Sequence, residues 1–202
     1  MVSGGGTNLQ ALIDCQKEKG LGGGEIVAVI SNRKAAYALE RAANAGIPGY
    51  YVGGKGLDNE EYSRKLDELL ESEVKPDLIV LAGFLRIFSE EFSNKYAGKI
   101  INIHPSLIPS FCGDGMYGLR VHEAALAKGV KVSGATVHFV SAGTDEGPII
   151  LQKSAEVKAG DTPEELQKRI MVECEWKLLP QAVTIFCEGR LSIENGIVNI
   201  KD

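Results

Sequence analysis

A chain of 202 residues, 44% hydrophobic and 24% charged, is long enough for one ordinary core, too apolar for a disordered class, and without an apolar stretch long enough for a membrane helix. Twenty-two Lys and Arg against 27 Asp and Glu leave a net charge of −5, which argues against an electrostatic nucleic-acid binder. No basic segment followed by an apolar core stands at Met1, so a cytoplasmic protein off the membrane is expected, as a monomer or a homodimer.

Taken in chain order, Met1-Val2-Ser3 alone precede a glycine run, so the first strand of any sheet is expected to be truncated. A helix opens at Thr7 or Asn8. Residues 27–31, 77–82 and 99–103 are almost continuously apolar, as in strands buried on both faces of a parallel sheet. Between them, 35–45 and 59–72 read as helices, the second carrying Tyr62, Leu66, Leu69 and Leu70 on one face. A helix at 119–128 follows. Residues 131–140 alternate like a strand, and 148–157 form a second strand-like run. A long helix is expected from Asp161 toward Glu188, interrupted at Pro180, whose ring cannot continue a regular turn. Asn195-Gly196 signals a hairpin within 191–200. Strand–helix alternation followed by strands in sequence predicts an α/β fold, doubly wound and mostly parallel, with a mixed or antiparallel C-terminal part. We read one domain over 1–202, with a nucleotide-binding half at about 1–105 and a sheet-completing half at about 106–202.

Four cysteines, at 15, 112, 174 and 187, lack the C-x-x-C spacing of a zinc or redox site and read as free thiols. No other His, Cys or acid set has metal spacing, so no metal is expected. Gly4, Gly5 and Gly6 stand directly before a helix. Bare backbone admits an anion closely, and the first N–H groups of a helix have no internal partner. Thr7 and Asn8 could add side-chain bonds. The same run is also an ordinary tight turn with a capping residue. It is not a P-loop, and Leu9 stands where a dinucleotide fingerprint needs glycine.

Asn102 and His104 lie two apart on a strand ended by Pro105, so both side chains point one way at the carboxyl edge of the sheet. Asn offers a neutral donor to a developing oxyanion, and His a proton carrier near neutral pH. Asp145, in a loop of small residues, reads either as a turn residue or as a carboxylate raising the pKa of an imidazole. His122 and His138 read as structural.

In this order, SGGGTNLQALI, LAGFLRIFS, INIHPSLIPSF and GATVHFV followed by GTDEGPIILQ resemble the phosphoribosylglycinamide formyltransferases, over nearly the whole chain. The resemblance implies a Rossmann-like sheet. It implies transfer of a formyl group from 10-formyltetrahydrofolate, as co-substrate, to the amine of glycinamide ribonucleotide in purine biosynthesis. Asn102, His104 and Asp145 match the family's catalytic residues, with Asp145 holding His104 protonated. Gly6, Thr7 and Asn8 match its phosphate loop, and Glu175 matches a carboxylate on the ribonucleotide. Leu85, Arg86, Ile87, Phe88 and Asn102, with Ser141, Ala142, Gly143, Thr144 and Asp145, match the folate pocket. A family arginine on the folate falls near Asn59, with Arg64 the nearest basic residue. The 110–118 loop is longer and richer in glycine than in some relatives.

Two other formyltetrahydrofolate enzymes stay open. The hydrolase is expected to carry an extra N-terminal domain, and the methionyl-tRNA formyltransferase a basic C-terminal one. A non-catalytic nucleotide-binding module would leave Asn102, His104 and Asp145 as coincidence.

Overall fold

The computed structural model describes residues 1–202. In chain order the first half forms α1 (Thr7–Glu18), β1 (Val29–Ser31), α2 (Tyr37–Asn44), β2 (Gly49–Tyr51), α3 (Asn59–Leu69), β3 (Ile79–Leu81), α4 (Glu90–Lys95) and β4 (Ile100–His104). Local chemistry explains the helix starts. Asp58 and Glu61 form a reciprocal capping box at α3, and the Ser89 hydroxyl accepts from the Phe92 N–H at α4. Elements β2 and α4 had no signal in the sequence, because three half-exposed residues and a six-residue helix are too short to show a period.

Strands β1 and β2 pair in parallel, as do β3 and β4. The segment Met1–Ser3 joins the two pairs. The Val2 N–H donates to the Ile30 carbonyl at 2.9 Å, and the Ala82 N–H donates to the Met1 carbonyl at 2.9 Å. The order is therefore β2, β1, Met1–Ser3, β3, β4. The chain winds outward from Met1–Ser3 to β2 and then returns to β3 on the other side. The switch point lies between Met1–Ser3 and β3, where open α/β sheets leave a crevice outside the strand carboxyl ends.

The second half contains α5 (Leu119–Lys128), β5 (Val132–Phe139), β6 (Ile149–Glu156), α6 (Pro163–Ile170), α7 (Trp176–Cys187) and the hairpin β7 (Leu191–Glu194) with β8 (Ile197–Ile200). Strand β5 pairs antiparallel with both β4 and β6, which sets Asn102 opposite His138 and His104 opposite Thr136. Seven of the eight β5 residues are buried, so the alternation in its sequence marks an interior strand covered on both faces. The expected interruption at Pro180 falls earlier. Residues Met171–Glu175 form a π-helical turn, and Pro180 continues inside α7. A proline disturbs the carbonyl four residues before it, here that of Trp176, which abuts the wide turn.

Neighbouring residues of β4 divide between two cores. Ile101 and Ile103 join Leu9, Leu12, Ile13, Val137, Ile170 and Leu179, while Ile100 joins Tyr62, Leu66, Ile79, Leu81 and Phe92. The larger cluster draws on both halves of the chain. At the amino edge of the sheet lies a mainly apolar cavity of about 490 Å³. All four cysteines are free, Cys174 buried and the others half-buried. No helix is long and apolar enough to cross a membrane.

Candidate active site

A cavity of about 480 Å³ opens at the switch point, lined by the glycine loop, the segment after β3, the end of β4 and the loops 113–118 and 141–145. Every site residue singled out from the sequence lines it, whether read as catalytic, ribonucleotide-contacting or folate-contacting. Asn59 and Arg64 do not, so the basic contact sought there is missing from the wall.

At its floor four side chains meet. His104 Nδ1 lies 3.4 Å from Asp145 Oδ2, and His138 Nε2 lies 3.6 Å from Asp145 Oδ1. Asn102 Nδ2 is 3.2 Å from His138 Nε2. The partners assign the protons. A backbone carbonyl only accepts, so His104 Nε2–H donates to Phe111 at 2.9 Å and His138 Nδ1–H donates to Phe139 at 2.8 Å. His138 Nε2 is then free to accept from the Asn102 amide, which fixes that amide's orientation. His104 Nδ1 is left as the atom that gains or gives a proton.

Burial pushes the His104 imidazole below its ordinary range, outweighing the upward pull of the Asp145 carboxylate and the Phe111 carbonyl. Burial and the Asp145 carboxylate therefore pull the ring in opposite directions, with burial the larger effect. Burial pushes the Asp145 carboxyl up, but His138, His104 and the Gly113 N–H outweigh it and hold the group below its usual range. Asp145 reaches these partners from a left-handed backbone (φ 60°), a conformation held by the loop around it and costly for a non-glycine residue.

The glycine loop forms the opposite wall. Gly6 sits at φ 71° as the N-cap of α1 and offers no side chain to its N–H groups. Asn8 Nδ2 donates to Glu175 Oε2 at 2.6 Å. Glu175, in the π turn, is buried, and burial raises its pKa against the lowering effect of Asn8. Glu175 lines the cavity, whereas its neighbours Cys174 and Trp176 do not. The third wall is Leu85–Phe88. Leu85 and Ile87 are half-exposed there, while Phe88 packs into the core. The Arg86 side chain turns away to donate to the carbonyls of Gly54, Leu57 and Asp58.

Two histidines read as structural also line this cavity. His138 lies in the cluster with Asn102 and Asp145; in the sequence it is one of several polar residues of a buried strand and carries no signal of its own. His122 is buried with neither ring nitrogen bonded, and burial, with His104 adding to it, lowers its pKa to about 4.

A half-buried amide donor, an imidazole and a carboxylate, sharing a parallel-sheet crevice with a glycine-rich loop, make up an α/β fold whose site has the groups acyl transfer requires. Residues 1–183 match the formyl transferase family, and the chain belongs to that family. It is 40% identical over 197 residues to the Escherichia coli phosphoribosylglycinamide formyltransferase, covering 97% of this chain and 89% of that one. It is 44% identical over 198 residues to the bovine trifunctional purine biosynthetic protein adenosine-3, covering 97% of this chain but only 19% of that longer protein. The crystal structure of glycinamide ribonucleotide transformylase 1 from Symbiobacterium toebii superposes with a TM-score of 0.91 at 44% identity, covering 100% of this chain and 92% of that one.

Proposed function

We propose that this single domain transfers the formyl group of 10-formyltetrahydrofolate to the amine of glycinamide ribonucleotide. The observation that carries the reading is the placement of Asn102, His104 and Asp145 in the same cavity as the glycine loop. The names of the relatives support it.

In this reading the glycine loop, Thr7 and Asn8 take the phosphate and Glu175 takes the ribose hydroxyls. Leu85–Phe88 and residues 141–145 receive the folate. The amine nitrogen attacks the formyl carbon, a C–N bond forms and the carbonyl oxygen becomes an oxyanion. Asn102 donates to that oxygen. The new ammonium loses a proton to His104 Nδ1, where the Asp145 carboxylate at 3.4 Å stabilises the imidazolium. The oxyanion then collapses to a carbonyl, the bond from the formyl carbon to the folate nitrogen breaks, and that nitrogen takes the proton from the His104 imidazolium, which returns to its starting state. Formylglycinamide ribonucleotide and tetrahydrofolate result, with no covalent enzyme species. Holding both substrates in attack geometry lowers the barrier by several kcal/mol by itself, of the ~7–11 kcal/mol attainable.

The test is consumption of formyl folate with and without the ribonucleotide, with product analysis. Formylated ribonucleotide formed only when the acceptor is present supports the reading. Formate released without acceptor makes the chain a hydrolase, and ribonucleotide binding without turnover makes it a binding module.

A further inference from the structure

The glycine loop is braced from behind by α2, and the brace decides where its N–H groups point. The Gly4 carbonyl accepts from the Ala38 N–H at 3.2 Å, and the Gly6 carbonyl accepts from the Gln10 N–H at 2.9 Å. Between them, the Gly5 carbonyl accepts from Arg41 Nε at 2.7 Å. A trans peptide is planar, with its C=O and N–H directed oppositely. Fixing the Gly5 oxygen on Arg41 therefore aims the Gly6 N–H away from α2, toward the cavity.

The Arg41 side chain is itself held. Its Nη1 donates to Gln10 Oε1 at 2.9 Å, and its guanidinium lies 5.0 Å from the centre of the Tyr37 ring. Gln10 in turn donates to Asp14 at 2.8 Å. Arg41 is not among the side chains that line the cavity and reaches its wall through the Gly5 carbonyl. We infer that Arg41 is a positioning residue for the phosphate end of the ribonucleotide, acting through the Gly5–Gly6 peptide. The inference rests on the proposed reading of the loop as the phosphate site. Without the arginine, this peptide has no partner for its oxygen and is free to rotate, turning a carbonyl dipole toward the anion.

The full chain, its Arg41→Met variant and its Arg41→Lys variant are compared by steady-state kinetics with glycinamide ribonucleotide, and by inhibition with ribose 5-phosphate and with ribose. Arg41→Met is expected to raise KM for the ribonucleotide and Ki for ribose 5-phosphate by ~10-fold, with kcat and KM for formyl folate within about twofold. Arg41→Lys, which keeps a cationic donor, is expected to recover part of that loss. Unchanged ribonucleotide KM in Arg41→Met overturns the assignment. So does equal weakening toward both substrates in step with a lower Tm, which makes Arg41 a plain structural residue. If the parent binds ribose as well as ribose 5-phosphate, the phosphate reading of the loop fails instead, and the two failures are told apart.

Discussion

In the proposed reaction Asn102 and His104 reach the reacting centre from one strand, Asn102 as donor to the oxyanion and His104 as acceptor of the amine proton, so their separate removal tests a single site. Loss of an oxyanion donor, or of a positioned general base, costs ~10² in kcat. Asn102→Ala and His104→Ala are each expected to lower kcat by at least that factor, with ribonucleotide Kd little changed. Near-normal turnover in either variant would sink the assignment. Asp145 is tested through pH. Burial lowers the His104 pKa and the Asp145 charge partly offsets it, so Asp145→Asn removes an upward pull and lowers the pKa further. The His104 ring resonances are expected to titrate below the ordinary imidazole range in the parent and lower still in Asp145→Asn. The kinetic limb that reports His104 shifts down with them. If neither moves, Asp145 is a turn residue. The convergence of Asn102 and His104 was legible in the sequence because strand periodicity fixes residues two apart. The sign of the His104 shift was not, because it depends on burial beneath loops distant in the chain.

At the scale of elements, the glycine loop offers two substitutions with different outcomes. A Cβ at Gly6 would stand 2.7 Å from Ala38 Cβ, on a left-handed φ of 71°. Gly6→Val is therefore expected to cost at least ~1–2 kcal/mol and several degrees of Tm, weakening both ligands together. Gly5 meets nothing within 4 Å and has an ordinary φ. Gly5→Ala should keep Tm within about 2 °C, while its methyl obstructs the anion and weakens ribonucleotide binding ~10-fold, about 1.4 kcal/mol, with folate binding spared. Equal affinities in Gly5→Ala and parent would make the loop an ordinary turn. The glycine run and the start of α1 could be read directly, since glycine and helix-start chemistry are local. The π turn that carries Glu175 could not, because its extra residue per turn leaves no distinct pattern in composition.

For the whole molecule, the packing of the two halves encloses a titratable ring without a hydrogen-bond partner. Both ring nitrogens of His122 are buried and unbonded, and burial, with His104 adding to it, lowers its pKa from 6.5 to about 4. Between these values the unfolded chain binds a proton that the folded chain does not, so this ring makes stability rise with pH from about 4 to about 6.5, by on the order of 3 kcal/mol. Denaturant unfolding at pH 4, 5, 6 and 7 is expected to show this rise, and His122→Phe should flatten it. An equal slope in His122→Phe and the parent would contradict the burial of a neutral ring.

The sequence by itself determined the alternation of strands and helices, the parallel sheet, the glycine loop and the shared face of Asn102 and His104. All of these follow from local periods and from backbone chemistry within a few residues. The three-dimensional fold alone shows that Met1–Ser3 bridges β1 and β3, that His138 lies beside Asn102 and Asp145, and that burial lowers the His104 pKa. These depend on antiparallel register and on loops 110–118 and 141–147 closing over the sheet edge. Register and burial arise from contacts far apart in the chain, which no local pattern encodes.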